Sequence, residues 1–355
     1  MPQITKALTL NDLPAPPPGK TGWPWTEQSE LVDEQVLDGS EYLRISIVTP
    51  SYNQGQFIEE AIRSVLLQGY PNLEYIIIDG GSTDNTIEII KKYEGFLAYW
   101  VSEKDEGQSH GINKGFHRAT GDLVGWQNSD DFYYPSVFFK AAVKSKHFSD
   151  YAVFYGTKTY LNLEDQGAFT EDINMSDFDL LKMIPHSNMS NQSMFFRRKV
   201  FQEGNFLDQS FNHCMDIEFF WRLIERGYKF KFVPELKGCY RLHENCKGQS
   251  DNNSYLSDIL KIHERIYLNK NFKPAVRKKA WQSLRASCLN LYAKSRLPEF
   301  RKRCKRLWEL SDFDANNLML LDFEIIGKYL LSLCGNSFLQ QIRHYKSTLL
   351  TQRKS

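Results

Sequence analysis

Apolar and polar positions between residues 44 and 126 alternate in blocks. Four short apolar runs, at 45–48, 75–78, 98–101 and 123–126, have the length and residue types of buried strands. Between them, apolar residues recur at spacings of about four, which is typical of helices with one buried stripe. This alternation predicts right-handed crossovers and a mainly parallel sheet with helices on both faces. Ligands of such sheets bind at the carboxyl ends of the strands.

The rest of the chain follows other patterns. Residues 1–43 are rich in proline and predict an extended N-terminal arm. Residues 44–250 form the predicted α/β domain, whose second half is less regular and includes an expected strand at 229–233. Residues 251–355 show helical periodicity with Lys- and Arg-rich faces, which predicts a C-terminal helical appendage.

Composition narrows the class of protein. Lys plus Arg number 44 and Asp plus Glu number 43, so the chain has no basic field of the kind that nucleic-acid binding usually needs. The six cysteines include no CxxC motif and the N-terminus has no apolar leader, so we expect reduced thiols in the cytoplasm. Charged residues interrupt the apolar stretch 318–334, and no transmembrane helix is expected.

Acidic residues follow two of the predicted strands. Asp79 ends the second strand and Asp130 follows the fourth, but neither GxGxxG nor a Walker loop is present. Without a glycine cradle, a diphosphate can be neutralised by a divalent cation that oxygen ligands hold. Asp130 is the candidate ligand. The alternative is a solvated acidic turn, and the position of both acids at strand ends favours function.

Three segments carry a resemblance to a known family: Ile47 to Asn53 (IVTPSYN), Ile78 to Thr86 (IDGGSTDNT) and Trp126 to Asp131 (WQNSDD). They resemble the family 2 glycosyltransferases, inverting enzymes with the Rossmann-like GT-A fold, over roughly residues 44–245. The resemblance implies transfer of one hexose-type sugar from a UDP-, GDP- or dTDP-linked donor to a hydroxyl of a saccharide or lipid-linked acceptor. It also implies a role in the synthesis of a surface polysaccharide or glycoconjugate.

The resemblance further implies which residues hold the donor. In the family, the segment matching Pro50 to Asn53 and the acid matching Asp79 surround the nucleotide base. Asp79 could instead cap the following turn. Lys114 could supply a point charge to the phosphates, or be an ordinary helix-surface lysine. The implied donor-binding residues are Pro50, Ser51, Tyr52, Asn53, Asp79, Gly107, Lys114, Asn128, Ser129 and Asp130.

The family's DxD signature aligns with Asn128-Ser129-Asp130, so the first acid is replaced by an amide. The resemblance therefore implies that Asp130 carries most of the contact to Mn²⁺ or Mg²⁺, with Asp131 as an aid. His243 matches the family's late histidine, which can complete the metal site.

Glycosyl transfer needs a base that takes the proton of the acceptor hydroxyl. The family usually places it in a Glu-Asp pair at the start of a helix, and the matching pair here is Met215-Asp216. By position Asp216 is the catalytic base, with Glu218 as the fallback. A purely structural alternative is that Asp216 stabilises the helix N-terminus.

Two other classes stay open. A sugar-phosphate nucleotidyltransferase would carry a Gly-rich basic loop after the first strand, which Ser51 to Gln54 does not resemble. A non-catalytic nucleotide-sugar-binding protein would be consistent with the replaced acids at Asn128 and Met215. The QxxRW motif and membrane helices of processive synthases do not occur, which favours single-sugar addition. The basic segment 301–306 either docks at the inner face of a membrane or is a solvated helix face.

Overall fold

The structure is a computed structural model, and within it the chain divides into two compact units. The first comprises Met1–Asp179 and Ser187–Asp258, and the second comprises Leu180–His186 and Ile259–Ser355. The first unit therefore includes the N-terminal arm, and the division follows Asp258. The described residues are 5–32, 41–162, 167–169, 179–184, 189, 191–244, 246, 252–312 and 323–334. The parts of the predicted arm and helical appendage at 1–4, 33–40, 313–322 and 335–355 lie outside them.

The first unit is built on one mixed sheet flanked by helices. Its strand order is β3-β2-β1-β4-β8-β6-β9-β5, with β7 paired to β6. Strands β1 to β4 are parallel to one another, whereas β8 is antiparallel to both of its neighbours. The predicted mainly parallel sheet is confirmed. The strands are β1 (Ile45–Ser51), β2 (Leu73–Asp79), β3 (Tyr99–Ser102), β4 (Leu123–Trp126), β5 (Phe132–Tyr133), β6 (Val153–Asn162), β7 (Gly167–Phe169), β8 (Met194–Arg197) and β9 (Phe230–Leu242).

Helices connect the parallel strands and make up the C-terminal region. No helix among the described residues combines the length and the apolar character needed to cross a bilayer. The helical periodicity predicted for the C-terminal region is confirmed where that region is described. The helices are α1 (Ile58–Leu66), α2 (Thr86–Lys92), α3 (Gln108–Arg118), α4 (Val137–His147), α5 (Lys199–Gln202), α6 (Met215–Glu225), α7 (Asn252–Leu268), α8 (Pro274–Ala293), α9 (Leu297–Asp312) and α10 (Phe323–Leu333).

Strands β1 and β2 are neighbours in the parallel part of the sheet, and their ends position the site. Every residue of both strands is buried. Their parallel register pairs Ser51 with Asp79, so both strands end at the same edge of the sheet. The loops that follow them therefore lie side by side, at the edge where parallel sheets bind ligands.

The N-terminal arm packs against helix α1 of the same unit through a buried arginine. Arg63 of α1 is 0% exposed. Its guanidinium donates to the carbonyls of Pro14 (2.8 Å), Pro24 (3.0 Å) and Trp25 (3.0 Å), and to the hydroxyl of Tyr93 (3.2 Å). Burial of a charge is costly unless hydrogen bonds compensate it, and here the arm provides most of the acceptors.

Candidate active site

One cavity lies at the carboxyl ends of β1 to β4, and a second lies beside it, between the end of β4, strands β6 and β9, and the start of α6. The first has a volume of about 570 Å³ and the second about 450 Å³, and Gln108, Asn128 and Asp130 line both. The remaining lining residues of the first are Pro50, Ser51, Tyr52, Gln54, Gly80, Gly81, Lys104, Asp105, Gly107 and Ser129. Those of the second include Trp126, Lys158, Tyr160, Asn191, His213, Met215, Asp216, Tyr240 and Tyr255.

Hydrogen bonds tie the loop after β1 to the loop after β2. The Asn53 N–H donates to Ser82 Oγ (2.7 Å), the Thr83 N–H donates to Asn53 Oδ1 (2.8 Å), and the Gly55 N–H donates to Asp84 Oδ2 (2.9 Å). Asn53 has a φ of 51°, in the left-handed region that asparagine tolerates better than most residues. Asn53 thus holds the two loops together, and it lines neither cavity.

Asp79 has the geometry of a residue that stabilises a turn. It is 0% exposed. Its carboxylate accepts hydrogen bonds from the Gly81 and Ser82 N–H groups (3.1 and 2.9 Å) and from the hydroxyls of Ser82 (2.5 Å) and Ser102 (2.6 Å). These bonds fix Gly80 and Gly81 in the wall of the first cavity. Asp79 itself does not line that wall, and its direct contact with a nucleotide base stays a prediction.

The end of β1 offers the first cavity an aromatic ring and a free hydroxyl. Tyr52 is 59% exposed and lines the cavity beside Pro50. Ser51 is buried, and its Oγ has no hydrogen-bond partner among the described residues. A planar, polar ligand could use both features, because an aromatic face stacks on a ring and an unpaired hydroxyl needs a partner.

The cation of the first cavity is Lys104, which was not among the predicted site residues. Lys114 Nζ lies 2.7 Å from Glu103 Oε1, and Lys114 lines neither cavity. Lys104 follows the end of β3 at Ser102 and lines the first cavity. Its position after a parallel strand is the signal that could have identified it, because ligands bind at these strand ends.

The acidic turn after β4 is a hydrogen-bonded unit. Asn128 Oδ1 accepts from Gln108 Nε2 (3.0 Å), and Asn128 Nδ2 donates to Asp131 Oδ2 (3.1 Å). Asn128 therefore bridges α3 to the turn. It also lines both cavities, as does Asp130, while Ser129 lines the first.

Asp131 points into the protein interior and is not available as a metal ligand. Its side chain accepts from Gln192 Nε2 (2.7 Å) and from the Arg241 N–H (2.9 Å), and the residue is 1% exposed. Burial and the neighbouring Asp130 carboxylate raise the pKa of Asp131 to about 8. The expectation that Asp131 aids metal binding is therefore corrected, because its oxygens are occupied inside the protein.

Asp130 and His243 meet as the resemblance implied. Asp130 Oδ2 lies 3.2 Å from His243 Nε2, although the residues are 113 positions apart. The His243 ring packs on Phe57 with centroids 4.7 Å apart, and its buried Nδ1 has no partner among the described residues. The Asp130 side chain remains 21% exposed.

This pair fits a divalent cation. Ligand atoms at neighbouring positions of an octahedral ion with bonds of about 2.1 Å lie roughly 3 Å apart, and a carboxylate with a neutral imidazole suits Mn²⁺. In the described ranges, no group of three or more His, Cys, Asp or Glu side chains could hold a metal ion. Further ligands would therefore come from water or from the phosphates of a bound donor.

Asp216 lies in the first turn of α6 and lines the second cavity together with Asp130. Its Oδ1 accepts a hydrogen bond from the Ile217 N–H (2.8 Å). The fallback base, Glu218, has a side chain that is 1% exposed and is paired with Arg222 at 2.9 Å. Glu218 lines neither cavity, so the geometry favours Asp216 over Glu218 as the base.

A mainly parallel sheet that is flanked by helices and carries cavities at its strand ends places the first unit among the ligand-binding α/β domains. Residues 46–204 match the model of glycosyl transferase family 2. An uncharacterized glycosyltransferase of Rickettsia conorii is 31% identical over 147 residues, which are 41% of this chain and 23% of that protein. TuaG of Bacillus subtilis, named for teichuronic acid biosynthesis, is 39% identical over 90 residues, 24% of this chain and 36% of TuaG. The chain is thus similar to family 2 glycosyltransferases over its α/β region, and it spans well under half the length of these two relatives.

A solved structure shows the same fold over most of the chain. Residues 1–349 of S. aureus TarS, in complex with UDP-GlcNAc, superpose with a TM-score of 0.53 at 16% sequence identity. The alignment covers 84% of this chain and 81% of that structure. The expected GT-A fold is thereby confirmed.

Proposed function

We propose that this protein is an inverting glycosyltransferase that moves a single sugar from a nucleotide-diphosphate sugar to a hydroxyl of a saccharide or lipid-linked acceptor. The observation that carries the proposal is the shared wall of the two cavities. Asp130 lines both cavities, the strand-end loops surround the first, and Asp216 lies in the second. A donor in the first cavity and an acceptor in the second would meet at this wall.

The first cavity suits the donor. Tyr52 offers a ring face to a base, and Lys104 offers a positive charge to phosphates. A volume of about 570 Å³ lies within the usual range of small-molecule sites. TarS, a protein of the same fold, has been solved with UDP-GlcNAc, which supports a UDP-, GDP- or dTDP-linked sugar as the donor.

The pair of Asp130 and His243 would hold Mn²⁺ or Mg²⁺, which when bound neutralises charge on the departing nucleoside diphosphate. Asp130 supplies the only full negative charge of the Asn128-Ser129-Asp130 turn. Asn128 orients the turn through its hydrogen bonds to Gln108 and Asp131. Asp130 would therefore bind the cation, whereas Asn128 would position the turn.

Asp216 would act as the general base. Its carboxylate takes the proton of the acceptor hydroxyl as that oxygen attacks the anomeric carbon. An acceptor oxygen that attacks from the second cavity, on the face of the sugar opposite the departing diphosphate, would invert the anomeric configuration. The hydrogen bond from the Ile217 N–H orients the carboxylate at the start of α6.

The name of TuaG supports a place in surface polysaccharide or glycoconjugate synthesis. A cytoplasmic location, with contact of segment 301–306 at the inner face of the membrane, stays a prediction. It could be checked by flotation of the protein with anionic vesicles.

The test is release of nucleoside diphosphate from UDP-, GDP- and dTDP-sugars, with Mn²⁺ or Mg²⁺, over an acceptor panel. We expect Asp216→Asn to lower kcat by about 10²- to 10⁴-fold with little change in donor KM, because only the base is lost. Asp150→Asn, at an exposed aspartate outside both cavities, is the matched control. Retention of most of the kcat in Asp216→Asn would show that another group is the base, and NMR of the product would test inversion.

A further inference from the structure

The second cavity contains buried hydrogen-bond donors for which the described residues provide no acceptor. Trp126 Nε1 and Asn191 Nδ2 belong to side chains that are 1% and 6% exposed, and neither atom has a partner among the described residues. Both residues line this cavity. Buried hydrogen-bond donors are rarely left without an acceptor. A ligand rich in oxygen atoms would provide acceptors for both.

A lysine lies beside these donors. Lys158 Nζ lies 4.8 Å from the ring centroid of Tyr160 and 5.7 Å from that of Tyr240. The two rings pack edge to face with centroids 5.6 Å apart. Among the described residues, no carboxylate lies within ion-pair distance of Lys158. All three residues line the cavity, so its wall combines aromatic faces with a lysine that has no ion pair in the part of the chain that the structure describes.

The two carboxylates that line the second cavity, those of Asp130 and Asp216, have other proposed functions. Asp130 is paired with His243, and Asp216 is the proposed base. An acceptor whose hydroxyl faces Asp216 would place its remaining groups against the rest of the wall. Aromatic rings pack well on the apolar faces of sugar rings, and Lys158 would then meet a substituent of opposite charge.

We infer that the acceptor is an anionic saccharide whose carboxylate or phosphate pairs with Lys158 while its sugar ring packs on Tyr160 and Tyr240. The inference rests on the proposed function, because it names the acceptor class of that site. Trp126 and Asn191 donate to oxygens of the same sugar. The preference for anionic acceptors therefore depends on the charge of Lys158.

The test compares three acceptors that differ only at C6, which carries a neutral hydroxymethyl group, a carboxylate or a phosphate: octyl β-glucoside, octyl β-glucuronide and octyl β-glucoside 6-phosphate. With the active donor, we expect kcat/KM to be at least about tenfold higher for an anionic acceptor than for the neutral one. The glucuronide and the phosphate distinguish a carboxylate from a phosphate as the recognised group. Lys158→Met should reduce the ratio to about twofold or less, and Lys158→Arg should retain it.

Lys231 provides the matched control. It also lies over two aromatic rings, those of Phe148 (4.4 Å) and Tyr151 (5.8 Å), and it lines neither cavity. Lys231→Met should leave the acceptor ratio unchanged. Equal use of neutral and anionic acceptors by the natural protein, or a preference that survives Lys158→Met, would overturn the inference.

A binding measurement separates this inference from the proposed function. If no nucleoside diphosphate raises the Tm and no sugar is transferred to any acceptor, the proposed function fails. If sugar is transferred equally well to the glucoside and the glucuronide, the function stands and the inference fails. Where an acceptor is not turned over, its Kd with nucleoside diphosphate present is measured by calorimetry. Equal Kd values, or no binding of the anionic acceptors, likewise count against the inference.

Discussion

Replacement of Arg63 by methionine should release the N-terminal arm and lower the stability of the first unit. The arginine is completely buried, and its guanidinium donates to three backbone carbonyls of the arm. Methionine keeps most of the apolar volume of the side chain but provides no donor. The carbonyls of Pro14, Pro24 and Trp25 then lose their partner.

The size of the effect follows from these contacts. A buried acceptor left without a partner costs about 1–3 kcal/mol, so three carbonyls give about 3–9 kcal/mol. Removing the buried guanidinium offsets several kcal/mol of this through its desolvation cost. We therefore expect Arg63→Met to lower the free energy of unfolding by about 3 kcal/mol. At about 2–4 °C per kcal/mol for a domain of this size, the Tm should fall by about 6–12 °C.

Calorimetric unfolding would measure the change, and limited proteolysis would detect exposure of the arm. Arg118→Met is the control, because Arg118 is an exposed arginine whose guanidinium lies 3.7 Å from the Tyr99 ring centroid. It should cost about 1 kcal/mol or less. A fall in Tm below about 2 °C for Arg63→Met, with the arm still resistant to protease, would refute the reasoning.

Two further predictions concern the site. Asp130→Ala should abolish metal-dependent turnover, whereas Asn128→Ala should retain measurable turnover at a reduced rate, since only Asp130 brings a charge to the cation. If both variants lost the same fraction of turnover at every manganese concentration, the unequal roles assigned to Asp130 and Asn128 would be wrong. Lys104→Met should raise the donor KM about tenfold, while Lys114→Met should change it less than about twofold, because only Lys104 lines the first cavity. If Lys114→Met raised the donor KM more than Lys104→Met did, Lys114 would be the residue that contacts the phosphates.

The helices and strands whose apolar residues recur at a regular spacing were predictable from the sequence. The expected limits of the strand at 123–126 coincide with β4. The strand expected at 229–233 extends instead to Leu242. Pro234 lies between Phe232 and Lys237, where the pairing with β6 is interrupted and shifts register between Tyr155 and Thr157. Pairing resumes at Lys237 and continues through Gly238 to Leu242, which the local sequence did not predict.

The division of roles within the acidic turn was not predictable. Asp130 and Asp131 are adjacent acids, and no local pattern shows which of them faces a ligand. The two-residue strand β5 pairs with Cys239 and Gly238 of β9, and Asp131 accepts the Arg241 N–H further along that strand. This tertiary pairing buries Asp131 and leaves Asp130 partly exposed. Only the resemblance, not the spacing, pointed to His243 as the partner of Asp130.

The shared wall between the cavities has a kinetic consequence. Three residues line both cavities: Gln108, Asn128 and Asp130. A ligand bound in one cavity should therefore alter the affinity of the other cavity for its own ligand. Linkage makes this effect reciprocal, so a nucleoside diphosphate that strengthens acceptor binding must itself be bound more tightly by the same factor. Initial-rate plots should then intersect, as in a sequential mechanism. Where that coupling is positive, product nucleotide would dissociate more slowly while acceptor is abundant, and excess acceptor would inhibit turnover.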